Sequence, residues 1–383
     1  KMKDELFEIG NKALTELNKR GIKEAIILVR SINEVMIKLA NTQPSIIQNW
    51  RRIILSMRIA KEKRLLITET EISELEKLPK FIERMLLGIE KVKESEFYAP
   101  LPEPVDVKPL TNIVDKNIIY FMENPGKLTN TLIDEALNYG VDKIAGTIDL
   151  IYGEKVLLTS KGAQIYEDTT GVTVYLRAFK NENSGHWAWS SKFINLSEVR
   201  NVARKSSEYA TLKLPQIKFI PGKYDVILSP LVSGNLFNVI SHMASAFATL
   251  VGFSMFIKKK LGDKIASDIF TVIDEPRNRN LYRSTAFDDE GIPTFSKPII
   301  ENGVFKTLLH NNATALRMKT KTTGNAGWIS PEPWNLIIPT GTFSEEELIQ
   351  EVKRGILISN NWYTRLQNYV EGIFSTVSRD ATI

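Results

Sequence analysis

The side chains that could bind a metal ion or act as nucleophiles are scarce in this sequence. It contains no cysteine, and its three histidines, His186, His242 and His310, lie far apart. Disulfides, cysteine nucleophiles and thiolate metal ligands are therefore excluded within these 383 residues. No histidine has a second one at helical metal-ligand spacing, and a zinc site built mostly from carboxylates is unusual. These facts argue against a metal site built by this chain alone.

Polar residues in turn sequences of the second half are the next candidates. The run Asp288-Asp289-Glu290 precedes Gly-Ile-Pro, so turn formation is the favoured interpretation and an acidic cluster lining a cleft is the alternative. The dipeptide Asn302-Gly303 between two apolar runs predicts a tight hairpin turn. The possible cleft residues are Asp288, Asp289, Glu290, Asn302, Gly303, Thr323, Gly324 and Asn325.

Hydrophobic periodicity indicates the helices and strands that must position these residues. A period near 3.6 predicts helices, which cover residues 3–20, 71–93, 127–138 and 197–213. Alternating and β-branched patterns predict strands, which cover residues 25–29, 35–39, 53–60, 64–68, 155–160, 170–179 and 187–189. The charged tip at residues 61–63 predicts that 53–60 and 64–68 pair as an antiparallel hairpin.

Two proline-containing stretches interrupt these patterns. Residues 98–109 hold four prolines in twelve positions, and such a stretch forms a linker or an extended crossing rather than a helix or a central strand. Pro215, Pro221 and Gly222 mark the second interruption. It predicts a boundary between an N-terminal domain, 1–215, and a C-terminal domain, 216–383.

The fold class that follows is α+β with two domains. We expect an antiparallel sheet with helices in the N-terminal domain. In the C-terminal domain we expect a large, mostly antiparallel sheet or half-barrel with helices, and the apolar region 231–257 packed on or inside it. Residues 224–229 are predicted to form a buried strand that leads into this region.

Composition and charge favour a cytoplasmic protein that contacts neither membrane nor nucleic acid. The net charge is +5, and 43% of the residues are hydrophobic. No apolar run approaches the roughly 18 residues that a membrane span requires. The charged start, Lys1–Leu6, predicts the absence of a signal peptide. The basic runs at 258–260 and 277–283 are short, so we expect solvated surface rather than a nucleic-acid groove.

Four segments together resemble a known family. They are Tyr224–Gly234, Phe287-Asp-Asp-Glu-Gly-Ile-Pro293, Ile299-Ile-Glu-Asn-Gly-Val-Phe-Lys306 and Thr322-Thr-Gly-Asn-Ala326. Each alone is a generic turn or strand, but their order over about a hundred residues is similar to that of the TldD/PmbA two-subunit metallopeptidases. In the N-terminal half, the resemblance is limited to the pattern of helices and strands.

The resemblance implies a zinc motif that this chain has lost. The family's catalytic subunits carry H-E-x-x-x-H on a helix shortly after the glycine that corresponds to Gly234. Two histidines bind zinc there, and the glutamate acts as the general base. Aligned from Gly234, Asn238 and Met243 take the ligand positions and Val239 takes the base position. His242 lies one residue from the second ligand position, about 100° around a helix. No catalytic residue and no metal ligand are thus predicted.

The resemblance also implies a role and a partner. The chain is similar to the zinc-less, PmbA or TldE type of subunit, which is inactive alone. Zinc is expected only in a partner subunit. That partner is a homologous TldD-like catalytic subunit; the alternative is a homodimer of this chain, which would contain no zinc. The substrate class is unfolded or extended peptides. The sequence stops near Ile383, where the family continues into further strands and a cysteine ligand, so the C-terminal domain is expected to lack its last strands.

Two other functions stay open at this point. One is a metal-independent hydrolase, although no G-x-S-x-G nucleophile elbow is present. The other is regulation of DNA topology, since the family has been linked to modulation of gyrase. The sequence shows no helix-turn-helix or RNA-recognition pattern that would support direct DNA binding.

Overall fold

The computed structural model covers residues 1–383, which form an α+β fold. The helices are α1 (Met2–Lys19), α2 (Leu78–Ile89), α3 (Lys116–Glu123), α4 (Gly126–Asn138), α5 (Leu196–Ala210), α6 (Pro230–Met243), α7 (Ala246–Leu250), α8 (Asn312–Arg317) and α9 (Glu345–Glu351). None of them combines the length and the apolar character of a membrane-spanning helix.

Thirteen strands form three sheets. The strands are β1 (Glu24–Ala40), β2 (Gln43–Lys61), β3 (Arg64–Glu71), β4 (Lys143–Thr159), β5 (Gln164–Lys180), β6 (Asn183–Ser191), β7 (Asp225–Leu228), β8 (Val272–Asp274), β9 (Lys297–Glu301), β10 (Val304–Phe305), β11 (Leu336–Ile337), β12 (Gly355–Asn368) and β13 (Ile373–Thr382).

The largest sheet is antiparallel throughout and has the order β3-β2-β1-β4-β5-β6. Side chains of β1 alternate between its two faces. Odd-numbered residues such as Val29 and Ile37 are buried under helices, in one core with α1 and α2 and in another with α3, α4 and α5. Even-numbered residues such as Arg30 and Lys38 lie on the opposite face. Helices therefore cover one face, and the C-terminal part approaches the other.

The C-terminal part contains the two smaller sheets. One has the order β10-β9-β8-β11 and is antiparallel, and the other has the order β13-β12-β7, in which β12 and β7 are parallel. The α+β class and the mainly antiparallel pairing are confirmed. The large curved sheet, however, is formed by residues 24–191 and not by the C-terminal part, because much of 252–335 is turns and loops that pack without long strands.

Several predicted elements differ in extent. The patches 25–29 and 35–39 belong to one strand, β1, because the polar residues between them lie in the same paired ladder. The predicted helix over 71–93 begins only at Leu78, after a single 3₁₀ turn, and Pro79 occupies its first turn. The predicted buried strand before α6 is exposed at Asp225 and Val226, because β7 lies at a sheet edge.

Other predictions are confirmed. Helices α1, α4 and α5 occupy the predicted positions, and β2 and β3 form the predicted hairpin. The segment 98–109 has no helix or strand, and it crosses the sheet with Leu101 and Val107 packed against the small core around Phe287. The region 231–257 is helical only to Leu250, with a break between α6 and α7.

Candidate functional site

Helix α6 carries the positions that the resemblance aligned with a zinc motif. Its start is fixed by Ser229, whose hydroxyl accepts a hydrogen bond from the Val232 amide at 3.3 Å and donates one to the Ser359 carbonyl at 2.7 Å. Pro230 follows as the first helical residue, where its missing N–H costs nothing. The cap therefore ties α6 to β12 and sets the direction in which its side chains project.

Asn238, Val239, His242 and Met243 all line one open groove of about 320 Å³, the α6 groove. Positions i, i+1, i+4 and i+5 lie on one side of a helix, which explains why they come together. The opposite wall of the groove is formed by Phe253, Leu366 and Tyr369. Val239 and Met243 also contact the core beneath, so the polar part of the groove is formed by Asn238 and His242.

His242 has few partners in this groove. Its Nδ1–H donates to the carbonyl oxygen of Asn238 at 2.8 Å, one helical turn earlier. Its Nε2 lies 3.9 Å from a carboxylate oxygen of Glu332, and 39% of the side chain is exposed. The Glu332 carboxylate itself accepts a hydrogen bond from Arg283 at 2.9 Å. His242 is thus a rim histidine with one free ring nitrogen.

The donors in the α6 groove do not fit a zinc site. One imidazole nitrogen is available, from His242, while Asn238 offers an amide, Met243 a thioether and Val239 nothing. Protein zinc sites use imidazole, thiolate and carboxylate ligands, at least three of them from the protein. Nowhere in residues 1–383 do three such side chains stand in an arrangement that could hold a metal ion.

Asp288, Asp289 and Glu290 form a second feature, the acidic clamp. The buried carboxylate of Asp288 accepts hydrogen bonds from the backbone amides of Glu290 and Ile292 and, on its other oxygen, of Ala326, at 2.9 to 3.0 Å. Burial and the neighbouring Glu290 raise the pKa of Asp288, while these amide donors act in the opposite direction. Burial likewise raises the pKa of Asp289. Asp288 therefore holds a turn together.

Glu290 connects the clamp to the large sheet. Its carboxylate accepts from Arg58 of β2 at 2.9 Å and from the backbone amide of Asn312 at 3.0 Å. The side chain of Glu290 is 3% exposed and that of Arg58 is 16% exposed. Both residues line a narrow cleft of about 90 Å³. Glu290 is therefore a largely buried ion-pair partner at the edge of a small cavity.

The remaining possible cleft residues lie in two turns. Asn302 and Gly303 have φ values of 48° and 77° in the turn between β9 and β10, as the hairpin prediction requires. Thr323 donates to the side chain of Asn325 at 2.8 Å, and Asn325 in turn donates to Asp274 at 2.7 Å. Gly324, with φ of 67°, makes the bend between them.

Family profiles match most of the chain. The PmbA/TldA metallopeptidase central domain matches residues 116–214, and the PmbA/TldA metallopeptidase C-terminal domain matches residues 221–383. The chain belongs to the TldD/PmbA family.

Proteins described as TldD homologues and proteins described as PmbA homologues are both similar to this chain. A metalloprotease of Methanocaldococcus jannaschii is 31% identical over 224 residues, which is 55% of this chain and 49% of that protein. A PmbA homologue of Haemophilus influenzae is 28% identical over 47% of this chain and 39% of its own length. A TldD homologue of the same species is 22% identical over 70% and 60%. The chain thus spans about half the length of the curated relatives it matches most strongly.

Solved structures share the fold. A putative modulator of DNA gyrase from Bacteroides thetaiotaomicron superposes with a TM-score of 0.84, at 22% identity, over 99% of this chain and 87% of its own. TldE from Thermococcus kodakarensis superposes with a TM-score of 0.76, at 21% identity, over 92% and 84%. At this identity the likeness establishes the TldD/PmbA fold for nearly the whole chain.

Two polar features of this TldD/PmbA chain were not predicted from its sequence. One is the buried ion pair of Asp274 and Lys297 at 3.3 Å. The Asp274 carboxylate also accepts hydrogen bonds from the Asn325 side chain and the Trp334 backbone amide. The other is a cleft of about 430 Å³ on the face of the large sheet opposite the helices. No local sequence pattern indicates that cleft, because its residues come from segments far apart in sequence.

Proposed function

We propose that this chain is a non-catalytic subunit of a TldD/TldE-type metallopeptidase. It pairs with a homologous, zinc-bearing subunit, and the pair processes unfolded or extended peptides. The α6 groove is the observation that carries this proposal. Among the six positions aligned with the zinc motif, residues 238–243, His242 is the only side chain of a type that binds zinc, and none of the six is a carboxylate that could act as the general base.

The missing groups matter because each has a separate task in metal-assisted hydrolysis. The metal lowers the pKa of its bound water toward neutrality, and a carboxylate base accepts the proton that this water loses. Val239 stands at the position of that base and cannot accept a proton. The nearest carboxylate to His242, that of Glu332, is already hydrogen-bonded to Arg283. Peptide-bond cleavage is therefore assigned to the partner subunit.

What this chain contributes is a surface for extended peptide. Strand β13 is an edge strand, paired on one side only with β12, and its Ile373, Phe374 and Val377 side chains are about half exposed (50%, 44% and 52%). Extended peptides add to such edges through main-chain hydrogen bonds, which suits a substrate without a fixed sequence. The same exposed side chains suit contact with a homologous subunit.

The test is reconstitution with a homologue that retains H-E-x-x-x-H. A fluorogenic, unstructured peptide is incubated with the chain alone, with the homologue alone and with both. We expect no hydrolysis by this chain alone and faster hydrolysis by the mixture than by the homologue alone. An unrelated basic protein of similar size serves as the control for non-specific protection. Hydrolysis by this chain alone that is abolished in the His242→Ala variant would overturn the proposal.

A further inference from the structure

The cleft of about 430 Å³ on the face of the large sheet opposite the helices is rich in cationic and amide groups, and we call it the basic cleft. It lies between β1, β4, β5 and β6 on one side and β12, β13 and the second turn of α6 on the other. Its charged residues are Lys38, Arg177 and Arg379, and His186 lies among them. The lining also includes Tyr175, Asn235, Asn360, Asn361 and Trp362.

The positive charge of the basic cleft is only partly compensated. Asp380 beside it accepts from Arg177 Nε at 2.7 Å, from Ser184 at 2.6 Å and from Asn360 at 2.8 Å, and its side chain is 0% exposed. Burial acts to raise the pKa of Asp380, but these hydrogen bonds outweigh it and lower the pKa. The ionised Asp380 therefore holds Arg177 in place. Lys38 and Arg379 have no carboxylate within 4.0 Å.

The walls of the basic cleft are fixed by contacts of their own. The Arg379 guanidinium lies 4.9 Å from the ring centre of Trp362. Asn235 donates to Asn361 at 2.9 Å, and Asn361 donates to Thr376 at 2.9 Å. Since Asn235 lies three residues before Asn238, the basic cleft and the α6 groove adjoin along one turn of the same helix.

We propose that the basic cleft binds a carboxylate of an extended peptide, supplied by an Asp or Glu side chain or by the peptide's C-terminus. Guanidinium groups match carboxylates in planar, two-point hydrogen bonds, and a fixed arginine loses little entropy on binding. The exposed rings of Tyr175 and Trp362, 43% and 57% accessible, provide apolar contact for the adjoining peptide. This inference rests on the proposed function, since it assumes a peptide substrate.

A carboxylate is favoured over a nucleic-acid backbone by the shape and charge of the cleft. Nucleic-acid sites present many cations along a track, so that successive phosphates are neutralised. Here three cations converge on one bounded cleft. That arrangement suits one anionic group flanked by uncharged chain.

The experiment measures binding of labelled ten-residue Gly/Ser/Ala peptides to the full chain by fluorescence anisotropy. One peptide has a central Glu and an amidated C-terminus, one has Gln and a free C-terminus, and one has Gln and an amidated C-terminus. We expect at least one carboxylate-bearing peptide to bind about tenfold more tightly than the uncharged one, as a charge-assisted hydrogen bond would give. The first two peptides distinguish a side-chain carboxylate from the C-terminal one.

Substitutions locate the binding. Arg379→Gln and Lys38→Gln should each remove most of the preference for the carboxylate, about fivefold to tenfold. Arg365→Gln is the matched control, because Arg365 is an exposed arginine of β12 outside the basic cleft. Equal binding of all three peptides, or a preference that survives both cleft substitutions, would overturn the inference. The inference would also be overturned if a single-stranded oligonucleotide bound more tightly than the peptides and displaced them.

The binding assay needs no partner subunit, so it is independent of hydrolysis. Carboxylate preference, with hydrolysis by the mixture no faster than by the homologue alone, would support the basic cleft and refute the proposed subunit role. Faster hydrolysis by the mixture without carboxylate preference would refute the basic cleft alone.

Discussion

The acidic clamp and the α6 groove differ in how their polar atoms are used. In the clamp, both oxygens of Asp288 and both of Glu290 accept hydrogen bonds from the protein. In the groove, His242 makes one hydrogen bond to its own helix and stays 39% exposed. Residue type alone would rank the carboxylates as the stronger functional candidates. The hydrogen-bond partners indicate the reverse.

The energetic consequence differs in the same way. Removing one member of a buried ion pair leaves the other charge without compensation, which costs several kcal/mol. Removing a polar side chain that is already in contact with water costs little. The clamp should therefore govern stability, and the groove should be free for an interaction with another molecule.

The largest expected effect is that of Glu290→Ala. It removes the carboxylate that pairs with Arg58 and with the Asn312 amide, so we expect the free energy of unfolding to fall by about 3 to 5 kcal/mol. Urea denaturation followed by circular dichroism measures the change. The control is Glu103→Ala, which breaks the exposed pair with Lys161 and should cost less than about 1 kcal/mol. Similar losses in the two variants would contradict the structural role of the clamp.

The second effect concerns pH and His310, which lies in the chain just before Asn312. Burial lowers the pKa of His310 to about 4, below the value near 6.5 of an unfolded chain. The unfolded state thus binds the proton first as pH falls, so this contribution is present above pH ~6.5 and is lost between pH ~6.5 and ~4.

The corresponding variant is His310→Gln, which keeps a polar group of similar length but cannot take up the proton. Between pH 7 and pH 4, we expect the variant to lose about 3 kcal/mol less stability than the parent chain. Comparing the two chains removes the contribution of every other titrating group. Parallel pH profiles would show that His310 is not held neutral by burial.

The third effect is that of Gly303→Ala in the hairpin turn. Gly303 has φ of 77°, and a Cβ there would overlap the carbonyl oxygen of Ala266. We expect destabilisation by about 2 kcal/mol. Gly341→Ala is the matched control, because a Cβ at Gly341 meets nothing within 4 Å. A Gly303→Ala variant as stable as the control would mean that this turn tolerates a different conformation.

The smallest effect is expected in the α6 groove. His242→Ala should change the free energy of unfolding by less than about 0.5 kcal/mol, since the imidazole is partly exposed and its hydrogen bond stays within one helix. The measurement is again urea denaturation. A loss comparable to that of Glu290→Ala would remove the contrast between the two regions.

Local signals account for the parts of the fold that could be predicted from the sequence. The β2–β3 hairpin and the Asn302-Gly303 turn depend on neighbouring residues, and both are present. The length of β1 could not be predicted, because its polar middle is stabilised by partners on other strands. Arg30, for example, donates to Glu69 of β3 at 2.8 Å.

The same distinction applies to the sites. The α6 groove positions share one helical face, so their grouping follows from spacing alone. The role of Glu290 depends on Arg58, which is 232 residues away in sequence. The basic cleft likewise joins Lys38, Arg177 and Arg379 through the order of the strands. A single sequence contains no local signal for such pairings.

The central claim is that this subunit does not carry the zinc of its family, and its zinc content tests that claim most directly. The parent chain and the His242→Ala variant are purified without chelator, equilibrated with an equimolar amount of zinc, freed of unbound metal and analysed by elemental spectrometry. We predict no stoichiometric zinc in either protein. One zinc ion per parent chain that is absent from the His242→Ala variant would contradict the account.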